Sequence, residues 1–138
     1  MYTLYAPSRV VFGDMAAAAL KGMLEGHVLI VTGAHVWEAN RHSMEEYVED
    51  FALHIFKRTT ATGEPCIEDV DVLVESMHKH RPETIIALGG GSVIDLAKVV
   101  SVLLKYGGDI EDYYGQEKIP GETLPIIAVP TTAGTGSE

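Results

Sequence analysis

The chain has 138 residues, 20 acidic and 10 basic, a formal charge of -10 and 46% hydrophobic residues. That length and apolar content suit one compact domain with a real core, and exclude a disordered chain. The acidic balance excludes an extended nucleic-acid surface, which needs clustered Lys and Arg to neutralise phosphates. A lone Cys66 excludes an internal disulfide and points to reducing, cytoplasmic surroundings. No apolar run approaches the ~20 residues of a membrane helix, and the N-terminus lacks a signal peptide's basic head and apolar stretch. The expectation is therefore an acidic α/β domain with neither a membrane nor a nucleic-acid partner.

Short apolar runs followed by helical patterns recur along the chain. Arg9-Val10-Val11-Phe12 reads as a first strand, stopped by Gly13. Asp14 can cap a small helix running to about Leu24, closed by Gly26. The run His27–Thr32 is a second strand, and its continuous apolar centre predicts burial on both faces of a parallel sheet. Ser43-Met44-Glu45-Glu46 has capping-box spacing, which predicts a helix from there to about Leu53.

His54–Arg58 is a strand with enough polar residues to suggest a less buried position. Gly63-Glu64-Pro65 turns the chain into a helix with Ile67, Val70, Val74 and Met77 on one face, ended by Arg81-Pro82. Thr84–Leu88 is the clearest strand, and Ser92–Tyr106, stopped by Gly107-Gly108, the clearest helix. A loop with a short turn at Asp109–Tyr114 leads to a last strand, Pro125–Val129. Alternating strands and helices predict a Rossmann-like parallel sheet with helices on both faces. Ligands of such sheets sit beyond the carboxyl ends of the strands, here after Thr32, Leu88 and Val129.

Gly89-Gly90-Gly91-Ser92 joins the clearest strand to the clearest helix. Its glycines let backbone approach a ligand, and the helix offers unpaired N–H groups and a positive dipole end to an anion. Ser92 can cap the helix or give its hydroxyl to a phosphate. A single dipole contact is worth only ~0.3–1 kcal/mol, so a diphosphate would need several donors acting together. The run is not the dinucleotide fingerprint, because Ile94 stands at the third glycine position, nor a Walker A loop. A plain strand-to-helix turn and a phosphate cradle both remain open. Asp95 and Lys98 read either as a surface ion pair or as part of the cleft mouth. The stretch Pro130-Thr131-Thr132-Ala133-Gly134-Thr135-Gly136-Ser137-Glu138 reads either as a hydroxyl-rich ligand loop or as a frayed end.

Taken together, Gly89–Lys98 and Pro130–Glu138 resemble the iron-containing alcohol dehydrogenase family, relatives of glycerol dehydrogenase and dehydroquinate synthase. The strand Val28–Thr32, the Arg9–Gly13 opening and the Gly63-Glu64-Pro65 turn fall in the family's order, so the resemblance covers the whole chain. It implies the N-terminal NAD(P)-binding domain, incomplete at its C-terminal end, of an enzyme that interconverts small alcohols and aldehydes by hydride transfer. Gly89, Gly90, Gly91 and Ser92 would hold the pyrophosphate, with Asp95, Thr131, Thr132 and Thr135 around the nicotinamide and its ribose. Lys98 is a further candidate for the same cleft.

The family's Fe2+ (or Zn2+) is held by an Asp and three His of a second, helical domain, to which nothing here corresponds. The metal would bind the alcohol oxygen as a Lewis acid. His27, His35, His42, His54, His78, His80 and Cys66 show no ligand spacing, so no catalytic or metal residue is expected in this chain and no turnover from it alone. Many family members end the first buried strand in Asp, which takes the adenosine ribose hydroxyls; here Gly33 stands there, which makes NADP admissible beside NAD. The resemblance also implies a homodimer or larger assembly. Two alternatives stay open: a dinucleotide-binding or interaction module without catalysis, and a glycerol dehydrogenase-like enzyme within the family.

Overall fold

The computed structural model describes residues 9–13, 16–59, 65–134 and 136–137. Four strands, β1 (His27–Gly33), β2 (Ala52–Arg58), β3 (Thr84–Gly89) and β4 (Ile126–Pro130), form one wholly parallel sheet in the order β2-β1-β3-β4. Helix α1 (Ala34–Val48) joins β1 to β2, α2 (Ile67–Met77) joins β2 to β3, and α3 (Gly91–Tyr106) joins β3 to β4. The Rossmann-like α/β arrangement expected from the sequence is the one observed.

Strand alternation splits the core in two. Val28, Ile30, Ile86 and Leu88 point to one face, where Trp37, Met44 and Val48 of α1 cover them together with Leu20 and Leu24. Leu29, Val31, Ile85 and Ala87 point to the other, under Val70, Leu73 and Met77 of α2 and Val93, Ile94, Leu96, Ala97, Val100 and Leu103 of α3. Central strand β3 is buried along its whole length, which is why it reads as an unbroken apolar run. Strand β2 keeps exposed and half-buried positions and lies at the sheet edge, as its polar content suggested. At the other edge β4 is only half-buried.

Several local expectations do not survive. Arg9–Phe12 is not a strand: no neighbour pairs with it among the described residues, and Val10 and Phe12 are 80% and 91% exposed. An extended segment without a partner leaves its backbone groups to water and forms no ladder. The helix expected to Leu24 shrinks to a 3-10 turn, Ala16–Ala19, followed by a bend around Gly22 that carries Leu20 and Leu24 onto the sheet. Asp14, Gly63 and Glu64 lie outside the described residues.

Helix α1 starts at Ala34, not Ser43, so Ser43 sits inside the helix and its capping-box spacing is coincidental. Burying Trp37, 2% exposed, outweighs the missing N-cap side chain at Gly33. On α2 the buried stripe is Val70, Leu73 and Met77, whereas Ile67 is 50% exposed and Val74 half-buried. That helix ends at Met77, before Arg81-Pro82.

A buried ion pair ties β2 to α2. Arg58 Nε donates to Asp69 Oδ2 at 2.8 Å, and the Cys66 N–H donates to the same oxygen at 3.3 Å, closing the N-terminal box of α2. Asp69→Ala removes the acceptor of both the Arg58 guanidinium and the Cys66 N–H, so it is expected to lower folding stability by about 1–3 kcal/mol, read as a shifted urea midpoint.

At the amino ends of the strands the His54 and His80 rings lie tilted, 5.1 Å apart, and His27 Nδ1 bonds the His80 carbonyl oxygen at 2.7 Å. Burial, and then the neighbouring His80, hold His54 below the usual histidine range. The native state therefore binds fewer protons there than the unfolded chain, and the stability His54 contributes is lost as pH falls from about 6.5 through its lowered value. Denaturant midpoints measured across pH 5 to 7 are expected to show this slope, and His54→Gln to flatten it.

Candidate functional site

The winding of the sheet places the site. From β1 the chain enters α1 on one face, whereas from adjacent β3 it enters α3 on the opposite face. The loops after β1 and β3 therefore diverge, and the crevice between them is the topological switch point at which parallel sheets receive ligands. Gly33 flanks this crevice on one side and Gly89-Gly90-Gly91 on the other.

Close packing dictates the glycines of the second loop. A Cβ on Gly89 would come 2.8 Å from Val93 Cγ2 and 2.9 Å from Val93 Cβ. A Cβ on Gly90 would come 3.1 Å from Thr132 Oγ1, so the two candidate loops touch there. The Thr131 N–H donates to the Gly89 carbonyl at 2.9 Å and extends the β3–β4 ladder by one rung beyond Pro130. Gly90 is the N-cap of α3 and provides no side-chain cap. The first-turn N–H groups, with the half-buried Ser92 beside them, thus face the crevice as donors to an anion. The places where Cβ atoms would stand on Gly89 and Gly90 are taken by the Val93 and Thr132 side chains, so internal packing alone already requires these two glycines.

Thr131 and Thr132 are exposed beside the loop, and Thr135 lies outside the described residues. Asp95, one turn along α3, accepts from the Ser137 hydroxyl at 3.3 Å, so the β4 tail folds back toward the helix start. Lys98 Nζ lies 3.7 Å from Asp95 Oδ1, and both side chains are half exposed. Lys98 also borders an apolar groove of about 220 Å³ lined by Val102, Ile110, Tyr113 and Ile119, on the flank of α3 rather than at the glycine loop. A Cβ on Gly33 would meet only Val36 Cγ2, at an ordinary contact distance of 3.8 Å.

Sequence reading missed Lys57. Parallel register sets it beside Thr32, and its Nζ donates to Glu38 Oε1 at 3.0 Å and lies 5.9 Å from the centre of the Trp37 ring. No local motif marks it, because the contact depends on which strand pairs with β1.

Among the described residues no group of three His, Cys, Asp or Glu side chains stands close enough to hold a metal ion. These residues do not fit the metal that the resemblance implies. Nor is any helix among them long and apolar enough to cross a membrane.

The family model for iron-containing alcohol dehydrogenases matches residues 7–138. The chain belongs to that family. An alcohol dehydrogenase of Thermococcus barophilus is 33% identical over 95% of this chain and 37% of its own length. Alcohol dehydrogenase 4 of Schizosaccharomyces pombe is 32% identical over 97% of this chain and 33% of its own. Among solved structures, an iron-containing alcohol dehydrogenase from Thermotoga maritima superposes with a TM-score of 0.84 at 31% identity, over all of this chain and 40% of that one. A sulfoacetaldehyde reductase from Bifidobacterium kashiwanohense, solved with NAD+, superposes with a TM-score of 0.81 at 32% identity, over all of this chain and 38% of that one. The chain therefore spans 33 to 40% of the length of these four proteins.

Because Val93 belongs to the buried face of α3, it cannot yield to a side chain at Gly89 without moving the helix. Gly89→Ala is expected to cost about 1–3 kcal/mol of folding stability, measured by chemical denaturation.

Proposed function

We propose that this chain is the cofactor-binding part of a metal-dependent alcohol dehydrogenase, a cytoplasmic enzyme that interconverts small alcohols and aldehydes with NAD or NADP. The observation that carries the reading is the uncapped start of α3, facing the switch-point crevice, with Thr132 packed against its glycine loop. In this reading the dinucleotide, when bound, accepts or returns the hydride. The chain's own residues bind and orient it. First-turn N–H groups at Gly91 and Ser92 and the Ser92 hydroxyl take the pyrophosphate. Asp95 and the threonines Thr131, Thr132 and Thr135 orient the ribose and nicotinamide, with Lys98 further along the same helix. Gly33 leaves room for the adenosine ribose.

The residues of this chain contribute cofactor binding and orientation, and the substrate alcohol and the metal belong to other parts of a longer enzyme. A homodimer or larger assembly goes with this reading.

Ser92→Asp separates the function from the fold. A carboxylate in the first turn of a helix is favourable to the helix itself, by roughly 0.3–1 kcal/mol. The same charge repels a pyrophosphate. Stability is therefore expected to hold or rise slightly while NADH affinity, followed by nicotinamide fluorescence, falls at least about tenfold. Unchanged affinity in a stably folded variant would refute the phosphate role.

A further inference from the structure

We propose that Lys57 forms a subsite for the 2′-phosphate of NADP(H), with Glu38 as the carboxylate that occupies it when the phosphate is absent. This rests on the cofactor reading above and deepens it. In doubly wound sheets a carboxylate near the adenosine ribose selects a free 2′-hydroxyl, and a cation there accommodates a 2′-phosphate.

Strand β1 ends without any side chain, at Gly33, where a Cβ would make only an ordinary contact with Val36 Cγ2 at 3.8 Å. The next cationic side chain toward the sheet edge is set by register, which pairs Thr32 with Lys57 and Gly33 with Arg58. The two basic residues alternate across the sheet. Arg58 turns to the α2 face, where its side chain is 6% exposed and bound to Asp69. Lys57 turns to the α1 face and reaches Glu38, near the start of the helix that leaves the crevice.

The Lys57–Glu38 pair is built to exchange. Their side chains are 40% and 63% exposed, and an open pair of this kind contributes little to the fold. Lys57 holds the Glu38 carboxyl below its usual range, first through their hydrogen bond and then through its charge; Arg41 adds a smaller pull and is itself paired with Glu45 at 2.6 Å. Glu38 thus remains an anion at neutral pH, and a phosphate near two negative charges is the stronger competitor for the same ammonium group. Trp37, buried beneath, supports the lysine from below with its ring. In a chain of formal charge -10, this local cation supplies attraction that the overall field does not.

The test compares NADPH and NADH binding to the intact protein, by nicotinamide fluorescence, in wild type, Lys57→Met and Glu38→Gln. Wild type is expected to bind both. Lys57→Met should weaken NADPH at least about tenfold and leave NADH within about twofold. Glu38→Gln, which removes the competing anion, should tighten NADPH and flatten nothing for NADH. Equal losses for both dinucleotides in Lys57→Met, or no loss of NADPH, would overturn the subsite while leaving the cofactor reading intact. Wild type that binds NADH but not NADPH would overturn it in the same way. If wild type binds neither dinucleotide, the cofactor reading and the subsite fall together.

Discussion

The site depends on the handedness of the parallel crossovers. A strand–helix–strand connection returns to its sheet on one side only, so the face a helix occupies is decided by the direction in which the chain moves across the sheet. From β1 this chain moves outward to β2 with α1 on one face. It then reverses, passes back over β1 to β3 and continues to β4 with α2 and α3 on the opposite face. That reversal parts the loops after β1 and β3. Gly33 borders the opening on one side and Gly89, Gly90, Gly91 and Ser92 on the other.

The two sides of the crevice are held by different physical means. On the β3 side the geometry is steric. Gly89 packs on Val93, Gly90 on Thr132, and the Thr131–Gly89 hydrogen bond carries the ladder past the last strand residue. Nothing there needs a charged side chain, because the donors are backbone N–H groups at a helix start. On the β1 and β2 side the geometry is electrostatic. One basic residue of β2 is locked into the interior against Asp69, and its neighbour is left on the opposite face in an exposed, exchangeable pair. Alternation along one strand thus separates a buried cation on the α2 face from an exposed, paired one on the α1 face.

Parts of this were legible from residue patterns. β1 and β3 carry continuous apolar runs because both their faces are covered, and α3 carries an apolar face with a glycine stop. The glycine loop and the threonine-rich tail were visible as words, and those words carry the family resemblance. Other features misled. The Ser43–Glu46 spacing is that of a helix start but lies inside α1, since a capping motif is only a local preference and the burial of Trp37, Met44 and Val48 is a tertiary gain. The Arg9–Phe12 run has strand-like residues and no strand beside it among the described residues.

The alternation of strands and helices, the burial of the central strands and the chemistry available in the two loops are all written in the order of the residues. These follow from periodicity, backbone freedom and hydrogen-bonding capacity, all of which are properties of neighbours along the chain. The strand order β2-β1-β3-β4, and with it which loops share a crevice, emerges only when the elements pack. Packing likewise sets Lys57 beside Thr32 while Arg58 is buried on Asp69. Such pairings join residues far apart in sequence through register, and register is set by the packing of whole faces rather than by any local run of residues.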